Sequence, residues 1–287
     1  RFLASHGYVV CGEDHLGHGL TAGGKFGYFG PKNGWDLVAR DVRRLRELEG
    51  EKHPALPYVI LGHSMGSFLT RTYLIRWPGT VDAAVLSGTG QESAAAVASG
   101  KALAGTLCKL PGTVDAAVLS GTGQESPAAV ASGKALSAAL CRTKGPDYVS
   151  RRLNDLPFGS YNRAFKPNRT TSDWLSRDEA AVDAYLADPL CGFLITAAMF
   201  RDMMGGLKFI ADRNNLAKMN RDTPVYFLSG DRDPVGSMGK GVRKVEGMFR
   251  SAGCKDVTVK LYPGGRHEMF NEINRQEVFD DLLAWIE

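Results

Sequence analysis

The chain has 287 residues, a formal net charge of +4, 44% hydrophobic residues and 23% charged ones. That composition excludes a disordered chain, and a charge this mild argues against a nucleic-acid binder. No apolar run approaches the roughly 20 residues of a membrane-spanning helix; the longest, Leu190 to Phe200, reads as a buried helix.

Arg1 to Gly7 reads as the last turns of a helix stopped by Gly7. The natural N-terminus is therefore expected upstream of Arg1, and the absence of a signal peptide says nothing. Gly7 to Asp14, with Val9 and Val10, is a short apolar run and predicts a buried strand. It leads into the Gly-rich turn Asp14-His15-Leu16-Gly17-His18-Gly19. Trp35 to Glu49 carries Val38, Val42, Leu45 and Leu48 at helical spacing. Within it Arg40, Arg43, Arg44 and Arg46 form the one dense basic cluster, a solvated helix face. Pro57 to Leu61 is the next strand, and Met65, Phe68, Leu69 and Tyr73 mark a helix that Pro78 stops. Val81 to Leu86 predicts a third strand. Pro224 to Leu228 is a further strand, followed by a helix near Lys244 to Ser251. Val257 to Tyr262 is the last strand and Glu277 to Glu287 the last helix. Alternating strands and helices predict an α/β architecture with a mostly parallel sheet covered on both faces. Five cysteines show no CxxC pair and no Cys/His ligand spacing, which predicts reduced thiols and a cytoplasmic protein, and argues against a disulfide scaffold or zinc site.

Pro78 to Leu110 and Pro111 to Thr143 repeat at a period of 33, with 27 of 33 positions identical. Two copies are too few for a solenoid. Identity this high points to a recent duplication or an assembly error, without a function of its own. The strand run recurs as Val114 to Leu119, so two copies compete for one place beside the Pro57–Leu61 strand. Val81–Leu86 is expected to fill it, having the shorter connection, with the second copy pushed toward the helical region.

Gly62-His63-Ser64-Met65-Gly66 fits G-x-S-x-G between a strand and an amphipathic helix, the context the motif requires. A serine there sits on a strained turn beside a helix N-terminus, where free N–H groups favour developing negative charge. The glycines on either side are expected to admit close backbone approach. A serine hydroxyl needs a base to take its proton. Of six histidines, His6, His15, His18, His53 and His63 precede Ser64, and only His267 follows it, in a loop after the last strand. Asp231 and Asp233, in Leu228-Ser229-Gly230-Asp231-Arg232-Asp233-Pro234, are both candidates for the acid that orients the imidazole. The order Ser, Asp, His is that of an α/β-hydrolase.

On these strings the chain resembles α/β-hydrolases of the monoacylglycerol lipase and lysophospholipase group (serine aminopeptidase-like). The matching strings are Asp14–Gly19, Gly62–Gly66, Gly230–Val235 and Gly265–Glu268. The resemblance implies Ser64 as nucleophile, His267 as general base, and Asp233 as acid, since the family's acid lies about three residues past the Gly that ends its strand. It implies the Met65 N–H as one oxyanion donor, His15 and His18 as structural loop residues, and no metal or organic cofactor. It divides the chain into a core segment 1–123, an inserted helical cap 124–221 and a second core segment 222–287. Ser172–Asp178 and Asp188–Phe193 resemble parts of that cap. Within it Phe193, Leu194, Met199, Phe200, Met203 and Met204 are candidates to line an acyl pocket. The resemblance also implies an earlier strand and a His-Gly loop that precede Arg1. The loop would supply the second oxyanion donor, and loss of one donor costs about 10²–10³ in rate. Without the strand, the Gly7–Asp14 and Pro57–Leu61 strands are expected to pair directly or leave an open edge. The activity implied is hydrolysis of a lipid-like ester such as a monoacylglycerol or lysophospholipid through an acyl-enzyme. Peptidase or amidase action on the same triad and a catalytically inert truncated scaffold are the alternatives. The expected partner is a small-molecule lipid-like ester and not nucleic acid; transient contact with a membrane surface and the oligomeric state are left open.

Overall fold

The protein is described by a computed structural model over residues 1–89, 127–158 and 161–287. Among the described residues four strands form one all-parallel sheet in the order β1 (Val59–His63), β2 (Ala83–Ser87), β3 (Val225–Gly230) and β4 (Val257–Tyr262). Among the described residues the helices longer than one turn are α1 (Gly34–Lys52), which precedes β1, then α2 (Met65–Arg76), α3 (Pro127–Lys144), α4 (Arg151–Phe158), α5 (Glu179–Ala187), α6 (Ala197–Ala211) and α7 (Lys240–Ser251), with α8 (Arg275–Ile286) last. The expected α/β-hydrolase architecture is what forms.

Side-chain alternation along the strands explains why their sequences read as unbroken apolar runs. Ala84, Leu86, Val225 and Phe227 enter one core cluster with residues of α1, α2, α6 and α7. Val85, Tyr226, Leu228 and Tyr262 enter a second with Val278 and Leu282 of α8. Successive residues of a strand point to opposite faces, and in the central strands β2 and β3 nearly every residue on both faces is buried; the edge strands β1 and β4 are only partly buried, and β4 carries Thr258 and Lys260. All six residues of β3 are buried.

The first repeat copy fills the place beside β1: Ala83 pairs with Val59 and Ser87 with His63. Val114–Leu119 lies outside the described residues. The later part of the second copy forms α3, which packs along α6, with Gly133 facing Phe200 and Met204.

Two expected elements are not observed. Gly7–Asp14 is not a strand; Val9 and Val10 are 55% and 57% exposed. A strand needs a ladder partner, and a cavity of about 1170 Å³ separates this segment from β1. The two do not pair directly, so β1 has an open edge among the described residues. Leu190–Phe200 is not one buried helix either. Gly192 adopts φ 66°, Leu190 and Leu194 are exposed, and α6 begins only at Ala197, where the Thr196 hydroxyl caps the Met199 N–H at 3.2 Å. Of the candidate acyl-pocket residues, Met199, Phe200 and Met204 are buried in the main core, and Phe193 and Met203 pack partly against it. The apolar area of Met199, Phe200 and Met204 is spent on packing.

The basic cluster lies on α1, where Arg40, Arg43 and Arg44 are solvated and pair with Asp36 and Glu47. Arg43 also lies over the Trp77 ring and Arg46 over the Tyr58 ring, each at 5.1 Å. Cys11, Cys141, Cys191 and Cys254 are free thiols. Among the described residues no helix is long and apolar enough to cross a membrane.

Candidate active site

Ser64 joins the end of β1 to the start of α2 with φ 51° and ψ −119°. A non-glycine residue held there is strained. Its N–H donates to Ser87 O at 2.9 Å, and its carbonyl accepts from the Ser67 N–H at 2.9 Å and the Ser67 hydroxyl at 2.6 Å. The backbone is thus pinned from both sides, and the turn cannot relax alone. A Cβ at Gly62 would overlap the Gly66 carbonyl and the Thr70 hydroxyl. The close approach expected at both glycines holds only at Gly62; a Cβ at Gly66 would meet nothing. Met65 is the first residue of α2, so its N–H has no intrahelical acceptor.

His267 lies beyond β4 and Asp233 beyond β3, so both leave the sheet at the same rim as Ser64. His267 Nδ1 is 3.1 Å from each Asp233 oxygen. The pair is dry, with Asp233 fully buried and His267 2% exposed. Asp233 also accepts from the Val235 N–H at 2.8 Å, which fixes the carboxylate. Asp231 points elsewhere and accepts from the Gly264 N–H at 2.7 Å. Gly230 makes the pairing feasible, because a Cβ there would overlap the Gly265 carbonyl. A carboxylate only accepts, so the neutral imidazole keeps its proton on Nδ1 and its lone pair on Nε2. Burial alone would push the His267 pKa down, but the facing Asp233, its hydrogen bond and Glu268 more than offset that, and the net direction is up.

A second ionisable pair stands against the first. His63 Nε2 is 3.1 Å from Glu268 Oε1, His63 Nδ1 is 3.0 Å from the Ser87 hydroxyl, and the His63 and His267 rings are 4.8 Å apart. His267 therefore packs on the residue next to Ser64. Burial would raise the Glu268 carboxyl, but His63, then His267 and Asn271, pull it down to about 2. Sequence reasoning missed this pair; Glu268 carried a signal only as part of the string Gly265–Glu268. Ligand atoms of His63, His267 and Glu268 lie within 4.8 Å of one another. Hydrogen bonds among these groups, Ser87 and Asp233 account for the cluster without an ion.

The segment Ser172–Asp178, between α4 and α5, docks on the histidine loop. Trp174 O accepts from the His267 N–H at 3.4 Å and Leu175 O from the Glu268 N–H at 2.7 Å. The Trp174 and His267 ring centroids are 5.1 Å apart at 38°. Glu272, fully buried, accepts from Arg177 Nε at 2.9 Å and from the Arg177 and Arg266 N–H groups at 3.1 and 2.9 Å. Nothing in the residue pattern marked Trp174 or Glu272 as contacts of the histidine loop.

His15 and His18 stand apart from His267. Burial and the neighbouring His18 lower the His15 pKa to about 4, which keeps it neutral. His18 Nδ1 faces Leu16 O at 3.0 Å, and its ring packs edge-on against Phe193 at 5.2 Å.

A parallel sheet clad on both faces, with a serine on a strained strand-to-helix turn and a buried Asp–His pair at the same rim, defines a serine hydrolase of the α/β-hydrolase fold. The chain belongs to the family described as serine aminopeptidase, S33 (Hydrolase_4), which matches residues 1–274. It is 28% identical to a monoacylglycerol lipase of Mycolicibacterium smegmatis over 290 residues, covering all of this chain and 80% of that one. Among solved structures it is similar to a thermostable carboxyl esterase from Bacillus coagulans (28% identity, TM-score 0.70, 95% of this chain and 78% of that one). It shares its fold with a monoglyceride lipase of Saccharomyces cerevisiae (18% identity, TM-score 0.62, 96% and 75%).

Proposed function

We propose that the chain hydrolyses carboxylic esters of lipid-like substrates, a monoacylglycerol or lysophospholipid, through an acyl-enzyme. The observation that carries this reading is the dry Asp233–His267 pair packed beside the strained Ser64 turn. In this reading Nε2 of His267 takes the proton of the Ser64 hydroxyl as the oxygen attacks the ester carbonyl. Asp233 holds the ring and stabilises the imidazolium. The Met65 N–H donates to the oxyanion. His267 returns its proton to the leaving alcohol, and water then cleaves the acyl-enzyme by the same route in reverse. The lipid-like substrate rests on likeness to the mycobacterial monoacylglycerol lipase and the Bacillus esterase.

A peptidase or amidase acting through the same three residues has the family's description, serine aminopeptidase, in its favour. Parallel release assays with p-nitrophenyl acyl esters, monoacylglycerols and aminoacyl p-nitroanilides separate the readings. Ester turnover with at least tenfold higher kcat/KM than anilide turnover is the expected result. The reverse ratio would assign a peptidase, and turnover of neither by folded protein would leave the inert reading.

A further inference from the structure

We propose that Trp174 is a positioning residue for His267: its indole holds the imidazole in register and favours the cationic form that the ring adopts in the transition state. The proposal rests on the hydrolase reading and names a group that this reading does not contain.

Three observations converge on it. The Trp174 ring lies against the His267 ring at 5.1 Å and 38°. The same residue's carbonyl accepts the His267 N–H, so ring and backbone are held by one neighbour. Trp174 is itself held on its other sides: Tyr161 packs on its ring at 5.0 Å, and its N–H donates to Asn162 Oδ1 at 3.0 Å. Arg266, the residue before His267, lies over the Phe165 ring at 4.3 Å and donates to Ser176 O at 3.1 Å. The histidine is therefore flanked by a segment far from it in sequence, and that segment is fastened on both sides of Trp174.

The electrostatics follow from the ring face. An aromatic quadrupole attracts a cation placed within about 6 Å of its centroid, more strongly where water is excluded. His267 is 2% exposed. The other ionisable groups that face it are Asp233 from the turn after β3, His63 from the end of β1 and Glu268 from its own loop. Two are carboxylates and one a second imidazole, so among the described residues Trp174 supplies the one ring against His267 that carries no titratable group.

The test compares Trp174→Leu, which removes the face, with Trp174→Phe, which keeps one. The kcat and kcat/KM for a p-nitrophenyl ester are measured from pH 5 to 9, with folding checked by circular dichroism. Trp174→Leu is expected to lower plateau kcat roughly two- to thirtyfold, and to move the acid limb of kcat/KM about 0.4–1.5 pH units lower. Trp174→Phe is expected to recover most of both. An NMR titration of the His267 ring protons reads the same displacement without turnover. It therefore decides the proposal even if fluorophosphonate fails to label Ser64, a result that would sink the hydrolase reading instead. An unchanged acid limb and unchanged ring titration in folded Trp174→Leu would overturn the proposal, as would equal defects in the two variants.

Discussion

Removing the Glu272 carboxylate should unfasten the histidine loop, and the structure sets the size of the effect. Glu272 is fully buried and receives four N–H donors. Oε1 takes the backbone N–H groups of Arg177 and Arg266, and Oε2 takes Arg177 Nε and the Ile273 N–H. Glu272→Ala leaves the Arg177 guanidinium and these backbone donors without their acceptor, and breaking one side of a buried ion pair costs about 3–5 kcal/mol. Glu272→Gln keeps the shape and one acceptor but turns an amide NH₂ toward donors. Loss of hydrogen bonds to a charged group then costs about 1.5–3 kcal/mol. At about 2–4 °C per kcal/mol for a chain of this size, Glu272→Ala should lower Tm by about 6–20 °C and Glu272→Gln by less. Differential scanning fluorimetry gives the order, and urea denaturation gives the free energies. Two variants melting within 1 °C of the parent would show that Arg177 and Glu272 do not hold the loop.

Three further predictions concern the same rim. The base must be neutral to accept a proton and the His267 pKa is pushed up, so kcat/KM should fall as pH drops through a midpoint above the ordinary histidine value of about 6.5; a rate profile locates it, and a midpoint below 6 would contradict the burial and pairing described. Glu268 is depressed to about 2 from an ordinary 4.5. Its contribution to stability is therefore complete above pH 4.5 and lost as pH falls toward 2, so Glu268→Gln should show a flatter loss of stability across that window in acid titrations of unfolding, and an unchanged slope would refute the assignment. Gly230→Ala would push a methyl into the Gly265 carbonyl; overpacking of this kind costs about 1–3 kcal/mol, and a Tm equal to the parent's would show that the two loops are not in contact.

Much of this site was legible because its chemistry is bound to local pattern. The run Val59–Leu61, the glycine at 62 and the apolar helix from Met65 specify the turn at Ser64 before any tertiary contact is known. Strand β3 was legible as an apolar run because all six of its residues are buried, whereas β4, buried only at Val257 and Tyr262, was legible from its apolar and β-branched residues. The choice between Asp231 and Asp233 was not local. Both lie in one turn, and the structure separates them by what faces each: His267 for Asp233 and the Gly264 N–H for Asp231. Gly7–Asp14 failed as a strand because an apolar β-branched run states a propensity, whereas a strand also needs a neighbour within ladder distance, and here β1 lies across a cavity. Three of the six candidate acyl-pocket residues proved to be core residues for a related reason. Phe and Met suit a flexible ligand and a protein core alike, and only tertiary packing shows that Met199, Phe200 and Met204 belong to the core. The contacts between Trp174 and His267 and between Glu272 and Arg177 left no trace in the pattern, since each joins residues more than ninety positions apart.

The central claim is that the Ser64 hydroxyl is made nucleophilic by His267. Treatment with a fluorophosphonate followed by peptide mapping tests it most directly. The account predicts a single adduct, on Ser64, formed at least a hundredfold more slowly in folded His267→Ala. An adduct on another residue, or labelling of His267→Ala at the parental rate, would contradict it.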